Sequence, residues 1–416
     1  MNQEILNFSQ VHAEPAWLQD FRQFADEKFN SLPLPFIERV KFDRWKLDAA
    51  QLTETDEAGA VPDFTALENV PMIVQVGTQT VFEQMPAELA DKGVVFTDFW
   101  TALETHEEVI KKYLSKAVSA DEDKLSALNL SKFNSGLVLI VPDNVELDLP
   151  LESIFETTEN DLIKHVLVVA GKHSKLTYIE RLKTPERLAD KKLIANLIVE
   201  VIAEEGAQVK FAALDQLGKN VNGFVSRRGH LADNATIDWA LAVMNDGNVV
   251  ADFDSDLIGN GSHAELKAVG ISTGKQVQGI DTRVTNFGKN SIGHIQQSGV
   301  ILDAGTLTFN GIGHIISGAT GADAQQSSKV LMLSDSARGD ANPILLIDEN
   351  DVTAGHAASV GQIDAEDLFY LQSRGLEEEE AKKLVIRGFL GSVVAGIPVK
   401  SVRDEFIKAI DGKLGI

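Results

Sequence analysis

Nine histidines and not one cysteine set the limits of the chemistry this chain offers. His356 stands apart from the other eight. It lies between Gly355 and Ala357-Ala358, in a Gly/Ala/Ser stretch that reads as an uncrowded loop. A neutral imidazole in such a place suits iron or a similar borderline metal. Asp348, Glu349, Asp351 and Asp364 lie close in sequence and are candidates to add oxygen ligands or to orient the ring. His294 and His314 recur in the units Ile292-Gly293-His294-Ile295 and Ile312-Gly313-His314-Ile315, a step of 20. Equivalent places in a repeat form a structural ladder, and stacking would also suit a metal. Gly270-Ile271-Ser272-Thr273-Gly274 matches the G-x-S-x-G nucleophile elbow. That elbow needs a helix after the serine, and Lys275-Gln276-Val277-Gln278-Gly279 has no helical period, so a turn between strands is expected there. Gly274-Lys275 is no phosphate loop either. The glycines are too close, and Gln276 stands where a magnesium-binding Ser or Thr belongs.

The elements that position these residues change character along the chain. Residues 1–125 read as a helical and mixed N-terminal region. Trp17, Phe21, Phe24 and Phe29 recur near helical spacing after Glu14-Pro15-Ala16 and stop at Leu32-Pro33-Leu34-Pro35. Residues 46–70 read as loop, Val74 to Val76 and Val94 to Phe96 as short strands, and residues 97–118 as helix. Over residues 126–347, short alternating segments recur between Gly, Asn, Asp and Ser, such as His165-Val166-Leu167-Val168-Val169 and Thr306-Leu307-Thr308-Phe309. Val209, Ile237 and Glu265 mark two successive steps of 28. Short strands repeating every 20 to 30 residues predict a parallel β-helix, because one coil cannot bury its inner face and a stack can. A β-sandwich would favour tight hairpins and less internal similarity.

Residues 348–416 turn helical. Asp364 is a plausible N-cap and Gly375 a C′ glycine. A second helix opens at Glu377 to Glu380, carries Leu384, Val385, Phe389, Leu390, Val393 and Ile397, and stops before Pro398. A third carries Val402, Phe406 and Ile410. The fold class is therefore mainly β: a right-handed parallel β-helix core between helical ends.

The totals exclude several functions. A formal net charge of −24 opposes nucleic acid and anionic membranes as partners. No apolar run reaches the ~18 residues of a membrane span. Met1-Asn2-Gln3-Glu4-Ile5-Leu6 lacks the parts of a signal peptide, so a cytoplasmic place is expected. Without cysteine there is no disulfide, no zinc thiolate and no thiol nucleophile.

Three blocks resemble the SufB/SufD family of the SUF iron–sulfur cluster assembly machine. They are Ser272-Thr273-Gly274-Lys275-Gln276 with Asp281-Thr282-Arg283-Val284, Phe309-Asn310-Gly311 through Leu331-Met332-Leu333-Ser334, and Asn342-Pro343-Ile344-Leu345 through Gly375. Within the family, Glu14-Pro15-Ala16-Trp17 and Leu32-Pro33-Leu34-Pro35 are similar to the SufD opening. The resemblance implies a right-handed parallel β-helix and a non-catalytic scaffold that pairs with a SufB-like paralogue and docks on SufC, an ATPase. The chain alone is compatible with a homodimer. No cofactor is held firmly by the chain itself; a transient iron–sulfur cluster sits on the complex, and ATP sits on SufC. It also implies that Leu368, Phe369, Tyr370, Leu371 and Arg374 lie in the SufC-docking helix. His356 falls at the family histidine near the SufB–SufD interface, an iron or cluster contact. Two positions depart from the family pattern: Ala354 stands where a Cys is common, and Asn286 where a His is common. The alternative reading is a β-helix enzyme acting on polysaccharide.

Overall fold

The computed structural model describes residues 2–53, 61–62, 70–188, 190–396 and 400–414. Its centre is a parallel β-solenoid of about eight coils, each contributing one strand to each of two sheets. One sheet runs from Leu151–Glu156 through Lys175–Lys183, Gln208–Gln216, Thr236–Val243, His263–Ser272, Ile292–Ile301 and Asp323–Met332 to Thr353–Gly361. The other runs from Ser135–Val141 through Leu162–Ala170, Leu193–Ala203, Val221–Leu231, Val249–Leu257, Val277–Asn286 and Thr306–Ile315 to Arg338–Ile347. Alternate residues of each strand point inward, so Leu, Val, Ile and Phe from both sheets form one continuous core.

The register explains what the repeats in the sequence were. Val209 pairs with Ile237, as the step of 28 expected, but Ile237 then pairs with Ala264 and Asp238 with Glu265. The pitch stretches to 29 at the next coil, where His263 pairs with Ile292. The two Ile-Gly-His-Ile units do not stack. Ile292–Ile301 and Thr306–Ile315 lie in different sheets, so the step of 20 joins two sides of one coil and no ladder joins His294 to His314. Gly270-Ile271-Ser272-Thr273-Gly274 ends one strand and enters a turn, with Gly274 at φ +62°. Ser272 is buried, and its hydroxyl accepts a bond from Gln278 Nε2 at 3.0 Å.

The two ends of the solenoid differ. At the first end Gln79–Gln84 pairs antiparallel with Met72–Val76, and Val95–Asp98 pairs antiparallel with Ser135–Val141. Helices Ala16–Ser31, Phe99–Tyr113 and Lys124–Lys132 cover the outside of the second sheet. Asp98 and Asp123 cap the latter two by accepting backbone N–H bonds. The buried side of Ala16–Ser31 is Leu18, Arg22 and Ala25, whereas Phe24, expected on that side, is exposed. Arg22 and Glu14 form a fully buried bidentate pair at 2.7 and 2.8 Å, which ties the helix to the segment before it.

Several sequence-based boundaries move. The helix expected over residues 97–118 spans Phe99–Tyr113. The solenoid does not end at residue 347. Thr353–Gly361, expected as a loop around His356, is a strand paired in register with Asp323–Leu331. Its Thr, Ala, Gly, His and Ser residues give no apolar alternation, so only the ladder defines it. Much of the loop expected over residues 46–70 lies outside the described residues, as do Ile397, Pro398 and the side chains of Val393 and Val402. Among the described residues, no helix is long and apolar enough to cross a membrane.

Candidate functional site

The second end of the solenoid is open. Arg338–Ile347 and Thr353–Gly361 are the outermost strands of their sheets, and no strand among the described residues pairs with their outer edges. Ala324, Gln326, Ser328 and Val330 are buried one coil earlier, and their register partners are Ala354, His356, Ala358 and Val360. These four therefore face the bore of the solenoid where it meets solvent. Ile347 is 39% and Val360 40% exposed. Unpaired backbone edges beside apolar side chains are costly in isolation and are normally covered.

His356 lies in the middle of this end and is exposed. Ala354, where the resemblance leads us to expect a cysteine, sits two residues away on the same face and offers no ligand. Three of the four carboxylates expected around His356, Asp348, Glu349 and Asp364, are engaged elsewhere. Asp348 Oδ2 lies 3.2 Å from His314 Nε2. Glu349 accepts backbone bonds from Gly318 and Asn350 at 2.9 and 2.7 Å. Asp364 caps the next helix by accepting from the Glu366 N–H at 2.8 Å. Asn286, where a histidine was expected from the family pattern, is buried and donates to Ser291 Oγ at 2.9 Å.

Helix Ala365–Ser373 follows directly. Asp364 starts it and Gly375, at φ +95°, lets the chain turn away at its end. The helix buries none of its residues. Phe369 is 71% and Tyr370 57% exposed, while Leu368 and Leu371 are half-buried. The Arg374 guanidinium lies 5.1 Å from the centre of the Tyr370 ring and holds it on the surface. Four of the five residues singled out in sequence thus lie in one helix, Arg374 caps its C-terminus, and its two aromatic rings face solvent.

This helix is carried by two others that are firmly anchored. Glu378–Gly396 and Lys400–Lys413 fold back over the outer face of the first sheet and bury Ile386, Leu390, Phe406 and Ile410 against it. Glu405 accepts bonds from Arg181 Nε at 2.6 Å and Lys183 Nζ at 2.8 Å. Burial works against its charge, but those two cations outweigh burial and hold the carboxyl below its ordinary range.

The sequence of a known family fits this architecture along nearly its whole length. The family model described as "SUF system FeS cluster assembly, SufBD core domain" matches residues 154–389, and "SufBD protein N-terminal region" matches residues 63–152. The chain is 40% identical over 430 residues to the iron–sulfur cluster assembly protein SufD of Bacillus subtilis, covering 100% of this chain and 98% of that protein. This chain belongs to the SufB/SufD family. More distant members include iron–sulfur cluster assembly SufBD family proteins of Staphylococcus epidermidis and Staphylococcus saprophyticus. Each is 24% identical over 421 residues, covering 95% of this chain and 89% of the relative. Membership in the SufB/SufD family makes the chain a component of iron–sulfur cluster assembly.

Sequence reasoning missed one cluster. His294 lies beside His263 and Glu265 on the outer face of the first sheet, and the pitch of 29, once known, brings them together. Without that pitch the three are unremarkable surface residues.

Proposed function

We propose that this chain is a scaffold subunit of a SufB–SufC–SufD type complex, without catalytic turnover of its own. The open end of the solenoid pairs with the corresponding end of a SufB-like paralogue. Helix Ala365–Ser373 docks on a SufC-like ATPase, which holds the ATP. The iron–sulfur cluster is a transient cargo, and its thiolate ligands come from the partner, since this chain has no cysteine. A cytoplasmic complex fits the reducing conditions that such thiolates require.

The observation that carries this reading is the contrast between the solenoid's ends. At one, antiparallel strands and the buried Leu89, Val94 and Phe96 cover the bore; at the other, the outermost strands are parallel and the bore-facing row Ala354, His356, Ala358 and Val360 is exposed. A second solenoid of similar cross-section continues both sheets across such a junction. His356 would then lie at the seam, within reach of a partner thiolate. An imidazole is a suitable ligand or proton carrier beside iron.

Reconstitution of the complex tests the seam. His356→Ala should lower iron and sulfide content together while the complex still elutes as one species. Equal iron and sulfide in variant and wild type would remove His356 from cluster handling. Failure of the three chains to co-elute would remove the scaffold reading itself.

A further inference from the structure

A second group of metal-ligating side chains lies on the outer face of the first sheet, away from the open end. His263 and Glu265 are two residues apart on one strand and so point the same way. His294 is the register partner of Glu265 on the next strand, and Asp323 is the register partner of Ile292 one strand further. His263 Nε2 lies 2.9 Å and His294 Nδ1 2.8 Å from the same oxygen, Glu265 Oε1. The three ligand atoms lie within 4.8 Å of one another. The two rings are 5.9 Å apart and nearly perpendicular. Each side chain is about one-third exposed. His263 and Glu265 also line an open groove of about 400 Å³, so an ion reaches them directly from solvent.

Hydrogen bonding alone leaves this cluster incomplete. With Nδ1 of His294 donating to Glu265, its Nε2 is buried and has no hydrogen-bond partner. Asp323 Oδ2 lies 3.9 Å from it, an acceptor facing an acceptor unless the ring is charged. A cation between His263, Glu265 and His294 resolves this. It takes Nδ1 of His294 as a ligand, which moves the ring proton to Nε2, facing Asp323 Oδ2, which accepts it once the 3.9 Å gap closes by about 1 Å. That is the carboxylate–histidine–metal relay found around many metal ligands. Tetrahedral ligation at ~2.0–2.1 Å places ligand atoms ~3.3 Å apart. The two His–Glu265 pairs, now at 2.8 and 2.9 Å, open by about half an ångström, and the two imidazole nitrogens, within 4.8 Å of each other, close by up to about 1.5 Å, both by side-chain rotation.

We infer that His263, Glu265 and His294 form a binding site for a divalent first-row transition metal, with Asp323 positioning His294. Two imidazoles and one carboxylate select borderline ions such as Zn²⁺ and Fe²⁺ over Mg²⁺ or Ca²⁺, which want all-oxygen shells. Three protein ligands leave a position for water or for a donor bound in the adjoining groove. The site is independent of His356, which lies at the solenoid's open end, so it holds or fails whatever the role of the seam.

The test uses the full-length chain, stripped with a chelator and titrated with Zn²⁺ in air, with Fe²⁺ under anaerobic conditions, and with Co²⁺ as an optical probe. Wild type should take up about one equivalent of each, and Co²⁺ should give the ligand-field bands of a low-symmetry site. His294→Ala and Glu265→Gln should each weaken binding at least ~10-fold and abolish the Co²⁺ bands. Asp323→Asn should weaken binding ~10-fold while the bands shift and persist, as for an outer-shell partner. His106→Ala, outside the cluster and outside the open end, should change nothing. Glu265→Gln keeps size and hydrogen bonding, so it decides the matter even if an alanine variant melts early. Equal affinity in wild type, His294→Ala and Glu265→Gln would overturn the site, as would loss of the equivalent in His356→Ala alone.

Discussion

Phe369→Ala separates a docking residue from a packing residue by the quantity it changes. Phe369 is 71% exposed and Tyr370 57% in the isolated chain. Fully burying a phenylalanine side chain is worth ~1.5–3 kcal/mol, so covering the exposed part of Phe369 contributes about 1–2 kcal/mol. That corresponds to a ~6- to 30-fold loss of affinity for the SufC-like ATPase on truncation. A central aromatic anchor lies at the upper end of this range. The same truncation removes little from the folded chain, because little of the ring packs against it, and surface substitutions usually stay within ~0.5 kcal/mol. The assay is a titration of the ATPase by wild-type, Phe369→Ala and Tyr370→Ala chains, with a melting curve for each. The expected outcome is weaker binding at an unchanged melting temperature. Unchanged affinity would refute the placement of the docking surface on this helix. A lowered melting temperature would show that the ring packs inward after all.

Two further outcomes follow from charges inside the solenoid wall and bore. Arg227 is fully buried and bridges Glu180 at 2.7 Å and Asp215 at 2.6 Å, so Arg227→Met should cost ~3–5 kcal/mol in urea unfolding by leaving two carboxylates without a counter-charge. A loss under ~1 kcal/mol would contradict that. Burial, joined by the charge of Asp252, lifts the Asp281 carboxyl from 3.8 to about 7. A raised acid binds more protons folded than unfolded, so its stabilising contribution is present at low pH and is lost as pH rises through about 7. Asp281→Asn keeps the acceptor for Asn310 and should gain roughly 2–3 kcal/mol relative to wild type between pH 5 and 8. Parallel stability–pH curves for the two proteins would exclude the shift.

The solenoid was legible because stacking imposes a pitch on the sequence, and the partnership of Val209 with Ile237 is the pitch itself. What blurred it was the change from 27 residues at Ile237–Ala264 to 29 at Ala264–Gly293. A single turn absorbs such a change at no cost to the core, so the spacing is not conserved along the rod. The Ile-Gly-His-Ile repeat misled for a related reason: both sheets need the same small and apolar residues, and likeness between them carries no information about stacking. Helix Ala365–Ser373 was legible from its cap, its glycine and its spacing, all of which are local. Thr353–Gly361 was not, because its strand state rests on backbone pairing with a preceding coil and leaves no mark on side-chain polarity. The His263, Glu265 and His294 cluster is a third kind of feature. Its residues are ordinary in sequence, and only an accurate register brings them onto one patch.

The most direct measurement is the mass of the species formed when the purified chain is mixed with its SufB-like paralogue, read by sedimentation. Ile347 and Val360 lie on the two outermost strands, each about 40% exposed. Wild type should form a one-to-one complex, and the double substitution Ile347→Lys/Val360→Lys should abolish it while the chain keeps its melting temperature. Two desolvated, unpaired ammonium groups at a continuous sheet junction cost several kcal/mol. A complex of undiminished affinity with the double variant would contradict the open end as the junction.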